Sequence, residues 1–125
     1  MLPSRLRRDR NKSILAEKFG QRAEALAALY LRLKLYRVRY RRYKTPVGEI
    51  DIVAQQGKVL VFVEVKARRH PDHYVEASEA VNTKRITRAA EFWLMRHPRE
   101  ADRDCRFDVI FLAPGRWPVH LINAF

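Results

Sequence analysis

The stretch that decides the fold is Gly48–Arg68, GEIDIVAQQGKVLVFVEVKAR. It contains two apolar, β-branched runs, Ile50–Ala54 and Val59–Val65, which are joined by a short polar link that includes Gly57. Two such runs joined in this way are typical of a β-hairpin. Because side chains alternate between the two faces of a strand, each predicted strand has one apolar face that suits packing against a helix.

Charged side chains occupy the other face of the predicted hairpin. The alternation places Ile50 and Ile52 on one face of the first strand and Asp51 on the other, and it places Glu64 and Lys66 together on the second strand. Buried charges are costly unless they pair or bind a metal. One interpretation is a plain ion pair at a sheet edge. The spacing of the two acids and the lysine favours a site for metal-assisted phosphodiester hydrolysis, because carboxylates suit a hard divalent cation and an ammonium offsets phosphate charge.

The same stretch resembles the D-x(n)-E-x-K core of the PD-(D/E)XK nuclease superfamily. More narrowly, GEID…VFVEVKAR, with Gly48, Glu49, Phe62 and Arg68 in place, is similar to the small bacterial YraN-type family of endonuclease-like proteins, which resemble archaeal Holliday-junction resolvases. The similarity extends from about Phe19 to Phe125. It implies a restriction-endonuclease-like α/β core, in which a mixed central β-sheet is flanked by two main helices.

The resemblance also implies a catalytic set of Asp51, Glu64, Lys66 and Glu24, in which the three acids hold Mg²⁺ or Mn²⁺. Glu24 matches the acid that the resolvases place on their first helix. Its helical neighbours are mainly small or apolar, so we expect it to face protein rather than water. An exposed surface acid is the alternative interpretation of Glu24, and Glu17 competes with it for the site role.

Gly48 and Glu49, which precede Asp51 in the chain, are both expected to support the site. Gly48 would bring the backbone close without a side chain, which would help a phosphate to approach. Glu49 lies on the same predicted face as Asp51, where it would orient a ligand or pair with Arg68. A simple surface salt bridge is the alternative interpretation of Glu49.

Positive charge is concentrated ahead of the hairpin. The 125-residue chain carries 26 Lys and Arg against 14 Asp and Glu, a formal net charge of +12, and nearly all of the excess falls in residues 1–46. This distribution favours a nucleic-acid partner over a membrane, although a solvated basic face is the plainer alternative. In Leu35–Tyr43, arginines alternate with aromatic or apolar residues, which predicts a strand whose arginines project together toward phosphates. The expected nucleic-acid contacts are Arg37, Arg39, Arg41, Lys44, Arg68, Lys84 and Arg88.

Ahead of the hairpin, the family pattern is broken at three positions. Leu35 stands where a glycine is usual, Arg42 where an asparagine is usual, and Lys44 where an arginine is usual. Outside the hairpin, Asp108 is expected to pair with Arg106 or a helix lysine rather than to bind metal.

The remaining patterns predict one α/β domain over residues 12–125 in the order α-β-β-β-α-β-β, preceded by a basic, flexible segment over residues 1–11. A single cysteine, and no apolar run as long as a membrane span, fit the cytoplasm. The expected elements are helices over 12–34 and 78–96 and strands over 35–43, 50–54, 59–65, 106–112 and 119–122.

These observations predict a magnesium-dependent, structure-selective DNA endonuclease that acts on branched or single-stranded DNA. A homodimer is expected only by analogy with the resolvases. The alternative is a catalytically inactive nucleic-acid-binding module that keeps the nuclease fold. A third hypothesis is an interaction protein whose charge serves a protein partner or ribosomal RNA.

Overall fold

The structure is a computed structural model that describes residues 4–70, 72 and 83–125, with side chains from Lys18 onward. Its elements follow the predicted α-β-β-β-α-β-β order, with a short 3-10 turn between the second helix and the fourth strand. No helix in these ranges is long and apolar enough to cross a membrane. The elements are α1 (Ser4–Leu33), β1 (Arg37–Thr45), β2 (Gly48–Gln56), β3 (Val59–Ala67), α2 (Thr83–Arg96), β4 (Cys105–Leu112) and β5 (Val119–Leu121), with the 3-10 turn at Pro98–Glu100.

The five strands form one mixed sheet in sequential order. Strands β1, β2 and β3 are antiparallel neighbours, β3 pairs with β4 in parallel, and β5 returns antiparallel to β4. The parallel pair needs a long crossover, and this connection contains α2. The predicted α/β class and mixed sheet are confirmed.

The two helices pack on opposite faces of the sheet. On the α1 face, Ala27 and Leu31 pack against Ile52 in one buried cluster. On the α2 face, Trp93 packs against Phe62 in a second cluster. Neighbouring residues of β2 and β3 belong to different clusters, as strand alternation requires. The hairpin is therefore the central layer of the molecule, with both of its faces covered.

Helix α1 ends in a Schellman motif, which explains where β1 begins. The Tyr36 N–H donates to the Leu31 carbonyl oxygen at 2.9 Å, and the Leu35 N–H donates to the Arg32 carbonyl oxygen at 2.9 Å. Leu35 has a φ of +67°, in the left-handed region that glycine favours. The glycine usual at this position in the resembled family is thus the residue that the motif prefers.

Several element boundaries differ from the prediction. Helix α1 begins at Ser4 rather than near residue 12, and β1 begins at Arg37 because Leu35 still belongs to the helix cap. The predicted start of the second helix, over residues 78–82, lies outside the described residues. The division into residues 1–11 and a single domain stays a prediction.

The predicted arginine stripe on β1 is wrong. The β1–β2 register shifts between Val38 and Tyr40, so a β-bulge at Arg39 reverses the alternation. Arg39 consequently contacts Glu100 at 2.7 Å on the α2 face, and its guanidinium lies over the Trp93 ring. Arg41 instead contacts an acid of α1, so the two arginines lie on opposite faces.

The predicted placement of Ile50 is also wrong. Ile50 belongs to the cluster on the α2 face, together with Val53, whereas Ile52 packs on the α1 face. The change of face therefore occurs around Asp51. Arg42, across from it on β1, has a φ of +53°, so the backbone of β1 is irregular at this level.

Candidate functional site

Asp51 lies where the pairing of β2 with β3 stops. Backbone pairing runs from Ile52–Val63 to Gln56–Val59. Just beyond it, Oδ2 of Asp51 accepts a hydrogen bond from the Val65 N–H at 2.8 Å. The carboxylate thus takes the place of a backbone acceptor in the gap between the two strands.

Glu64 and Lys66 reach the same end of the sheet from β3. Since β2 and β3 are antiparallel, the start of β2 lies beside the end of β3. Nζ of Lys66 lies 3.2 Å from Oε1 of Glu64, and both side chains are less than one-fifth exposed. The structure therefore brings Asp51, Glu64 and Lys66 together, as the spacing predicts.

The pKa of Asp51 shows how unfavourable this placement is for a bare carboxylate. Burial, followed by repulsion from Glu64, raises the pKa of Asp51 from 3.8 to about 7, and Glu24 and Glu49 add smaller repulsions. The hydrogen bond from Val65 opposes the shift but does not cancel it. Negative charge is thus concentrated at this end of the sheet without full compensation.

Glu24 approaches from α1 and faces protein, as expected. It is only 5% exposed. The Arg41 Nε donates to Oε1 of Glu24 at 3.3 Å, and Nε of Arg42 lies 3.7 Å from Oε2. Burial raises the pKa of Glu24 even though both arginines lower it. In this structure Glu24 therefore holds two arginines beside the site.

A cleft of about 340 Å³ opens on the α1 side of this cluster. Its acidic lining residues are Glu24, Glu49 and Asp51, and Val65 and Ala67 line it from β3. The side chains that alternate with those two β3 residues must point to the opposite face, toward α2. Asp51 therefore lies between the cleft and the Glu64–Lys66 pair.

The oxygen donors fit a divalent cation, although they do not form a ready-made centre. Within the part of the chain described, no three His, Cys, Asp or Glu side chains are arranged to hold a metal ion. Asp51 and Glu64 nevertheless offer the carboxylate oxygens that Mg²⁺ and Mn²⁺ prefer. A cation at this point would also offset the repulsion that raises the pKa of Asp51. The three-acid ligand set of Asp51, Glu64 and Glu24 stays a prediction.

Comparison with known proteins places the chain in a family. A family model described as "Uncharacterised protein family UPF0102" matches residues 23–112. The chain belongs to the UPF0102 family. The UPF0102 protein of Parvibaculum lavamentivorans is 51% identical over 112 residues, which cover 90% of this chain and 84% of that protein. The UPF0102 protein of Nitrobacter winogradskyi is 49% identical over 106 residues, which cover 85% and 90% respectively. The predicted YraN-type family is confirmed, whereas its placement in the PD-(D/E)XK superfamily stays a prediction. The matched range includes the acids and the lysine of the site.

Gly48 in this UPF0102 protein makes room for α2, because a Cβ there would lie 2.9 Å from Cγ of Arg85. Its expected help to an approaching phosphate stays a prediction. Glu49 contacts Arg42 at 3.8 Å instead of the expected Arg68. The Arg68 guanidinium lines the cleft and donates to the Ala67 carbonyl oxygen at 2.7 Å. Sequence reasoning missed the packing of Arg85, because it depends on the tertiary contact between α2 and β2.

The other expected nucleic-acid contacts of the UPF0102 chain remain compatible with their role. Apart from Arg39, which pairs on the α2 face, and Arg68, which is half-buried in the cleft, they are exposed. Their contact with nucleic acid stays a prediction. The exposed members of the set are Arg37, Arg41, Lys44, Lys84 and Arg88.

Asp108 is a structural acid, as expected. It is fully buried, and Arg106 donates to it through two nitrogens at 2.9 Å each. Nε2 of His120 lies 2.7 Å from Oδ2, and the Asn123 N–H donates to Oδ1 at 2.9 Å. Burial alone would raise the pKa of Asp108, but these hydrogen-bond partners hold that pKa below its usual value. Unlike Asp51, Asp108 is fully compensated by its protein partners.

Proposed function

We propose that this UPF0102 protein is a metal-dependent endonuclease of the PD-(D/E)XK type that hydrolyses phosphodiester bonds in DNA. The observation that carries the proposal is the meeting of Asp51, Glu64 and Lys66 at one end of two adjoining strands, with Lys66 3.2 Å from Glu64. A plain structural ion pair would account for Glu64 and Lys66. It would not account for a second carboxylate, Asp51, beside them with a pKa raised to about 7.

Each residue has a role that its position supports. Asp51 and Glu64 would hold Mg²⁺ or Mn²⁺, which when bound polarises a phosphoryl oxygen and lowers the pKa of water. Lys66 would orient the attacking water and offset charge that develops on the phosphate. Glu24 keeps Arg41 and a second arginine beside the cleft, where a phosphate group would meet them. Glu24 would also lie close enough to influence the bound cation through its charge.

The charge of the chain supports DNA as the partner. The net charge of +12 favours a polyanion, and the arginines near the cleft place part of that charge at the site. Action on branched or single-stranded DNA, a cytoplasmic location and a homodimer belong to the same proposal.

A cleavage screen tests the proposal. The protein is incubated with branched, flapped and single-stranded DNA in Mg²⁺, Mn²⁺ or EDTA, with Asp51→Asn as the matched variant. The proposal predicts metal-dependent cleavage of at least one substrate, and loss of that cleavage in the variant. Absence of cleavage of every substrate with either metal would contradict it.

A DNA-binding module without turnover is the second candidate. The engagement of Glu24 with Arg41 and Arg42 favours it, because an acid committed to two arginines is less available to a metal. This candidate predicts tight, salt-sensitive DNA binding that neither metal nor Asp51→Asn changes.

A further inference from the structure

A second groove, mostly apolar and about 500 Å³ in volume, runs between α1 and the loop that joins β4 to β5. Phe19, Leu26 and Leu29 line it from α1, and each is about half exposed. Trp117 lines it from the loop with 83% of its surface exposed. An apolar surface of this kind, contiguous and open to water, usually marks a binding site.

The groove is continuous with the acidic cleft. Phe19, Ala23 and Ala67 line both of them. Strand β4 runs parallel to β3, so the loop after β4 lies at the same end of the sheet as Glu64 and Lys66. An extended ligand in the groove would therefore continue directly into the acidic cleft, which Asp51 lines.

The charge of the groove selects among possible occupants. Of the described residues that line it, the charged ones are Arg22 and Arg116, and no carboxylate is present among them. A second copy of this chain would bring the same two arginines, and a net charge of +12, against one another. A ligand that alternates flat apolar groups with negative charges fits the groove better.

We propose that the groove binds unpaired nucleotides of the DNA strand whose phosphodiester enters the acidic cleft. Trp117 is the stacking platform for a base, and Arg22 and Arg116 contact the phosphates on either side. Stacking on an exposed aromatic ring tolerates any base, as binding of single strands without sequence preference requires. The inference rests on the proposed function and extends it, because it assigns the recognition of single-stranded segments to Trp117 and to the two arginines of the groove.

The two tryptophans of the chain make the proposal directly measurable. Trp93 is fully buried and stacks on His97 at 4.0 Å, whereas Trp117 is exposed. A base that stacks on Trp117 quenches its fluorescence and leaves that of Trp93 unchanged. Titration with oligothymidylate of about 12 nucleotides, in EDTA and at low salt, should give saturable quenching.

Variants then separate stacking from other effects, with binding followed by the anisotropy of a labelled oligonucleotide. Trp117→Ala should weaken binding by about tenfold, whereas Trp117→Phe should keep most of the affinity. Met95→Ala is the matched control, because Met95 is 68% exposed on α2, away from the groove, and its replacement should change nothing. Unquenched tryptophan at saturation, or parent-like affinity in Trp117→Ala, would overturn the proposal.

Two further measurements separate strand binding in the groove from dimerisation and from catalysis. If sedimentation shows a dimer of the parent that Trp117→Ala dissociates, the groove is an interface between copies and the proposal is overturned.

The Asp51→Asn variant should keep the quenching of Trp117 fluorescence while losing cleavage of DNA. Quenching without cleavage by any form of the protein would sustain the groove and refute the endonuclease. Cleavage of single strands that Trp117→Ala leaves unchanged would refute the groove alone.

Discussion

Replacing Asp51 by asparagine should stabilise the metal-free protein above neutral pH. Because the pKa of Asp51 rises from 3.8 to about 7 on folding, the folded protein holds this proton more tightly than the unfolded chain. Its contribution to stability is therefore complete below about pH 4 and is lost as the pH rises through about 7. Above that value, the ionised carboxylate destabilises the fold, and asparagine removes that cost.

The size of the effect follows from the pKa change. A shift of about 3 units corresponds to an upper limit of about 4 kcal/mol, at 1.36 kcal/mol per unit. Asp51 is only partly buried, so water that enters the cleft reduces this value. We expect a gain of about 1–3 kcal/mol in the free energy of unfolding at about pH 8. The amide oxygen of asparagine can still accept the hydrogen bond from Val65, so the substitution removes mainly the charge.

Urea unfolding of both proteins in EDTA, across the range from about pH 4 to 8, measures this difference. The gain should be small at the acidic end, grow as the pH rises and level off above about pH 7. Asp108→Asn is the control with the opposite sign, because the pKa of Asp108 is lowered and its charge stabilises the fold at neutral pH. An Asp51→Asn protein that is no more stable than the parent at about pH 8 would refute the reasoning.

Three further predictions concern the metal, the DNA and the helix end. Millimolar Mn²⁺ or Mg²⁺ should raise the melting temperature of the parent but not of Asp51→Asn, since a ligand specific to the native state stabilises it; equal shifts would exclude a metal at this residue. Affinity for DNA should fall steeply with salt concentration, and joint replacement of Arg37 and Lys44 by alanine should flatten the logarithmic slope by about 2; a parent slope near zero would favour a protein partner instead. Leu35→Gly should add about 1 kcal/mol to the free energy of unfolding, because it relieves a φ of +67° at a side chain that is 90% exposed; a loss in chemical denaturation would show that Leu35 is not strained.

The sequence was sufficient to predict the hairpin, the order of elements and the meeting of Asp51, Glu64 and Lys66. Strand alternation determines these features as long as the strands stay regular. The error at Arg39 follows from the bulge between Val38 and Tyr40, which reverses the alternation beyond it. The change of face between Ile50 and Ile52 lies across from Arg42, whose φ is +53°. Such irregularities depend on pairing with a neighbouring strand and have no periodic signal in the sequence.

Contacts between distant elements were the least accessible to prediction. The helical neighbours of Glu24 indicated that it faces protein, but its arginine partners come from β1. The burial of His120 against Asp108, and the position of Trp117 beside α1, arise only when β4 and β5 join the sheet. The cap at Leu35, by contrast, is local to the end of α1, and the glycine usual there in the resembled family is its sequence signal.

The central claim is that Lys66 acts in the hydrolysis of a phosphodiester bond. The most direct test is the single-turnover rate of DNA cleavage, measured beside DNA affinity, for the parent and for Lys66→Met. Methionine keeps much of the aliphatic stem while removing the charge. The account predicts a rate that falls by about a hundredfold or more, with affinity changed at most severalfold, because the interaction is made chiefly in the transition state. Equal cleavage rates for the two proteins would contradict it.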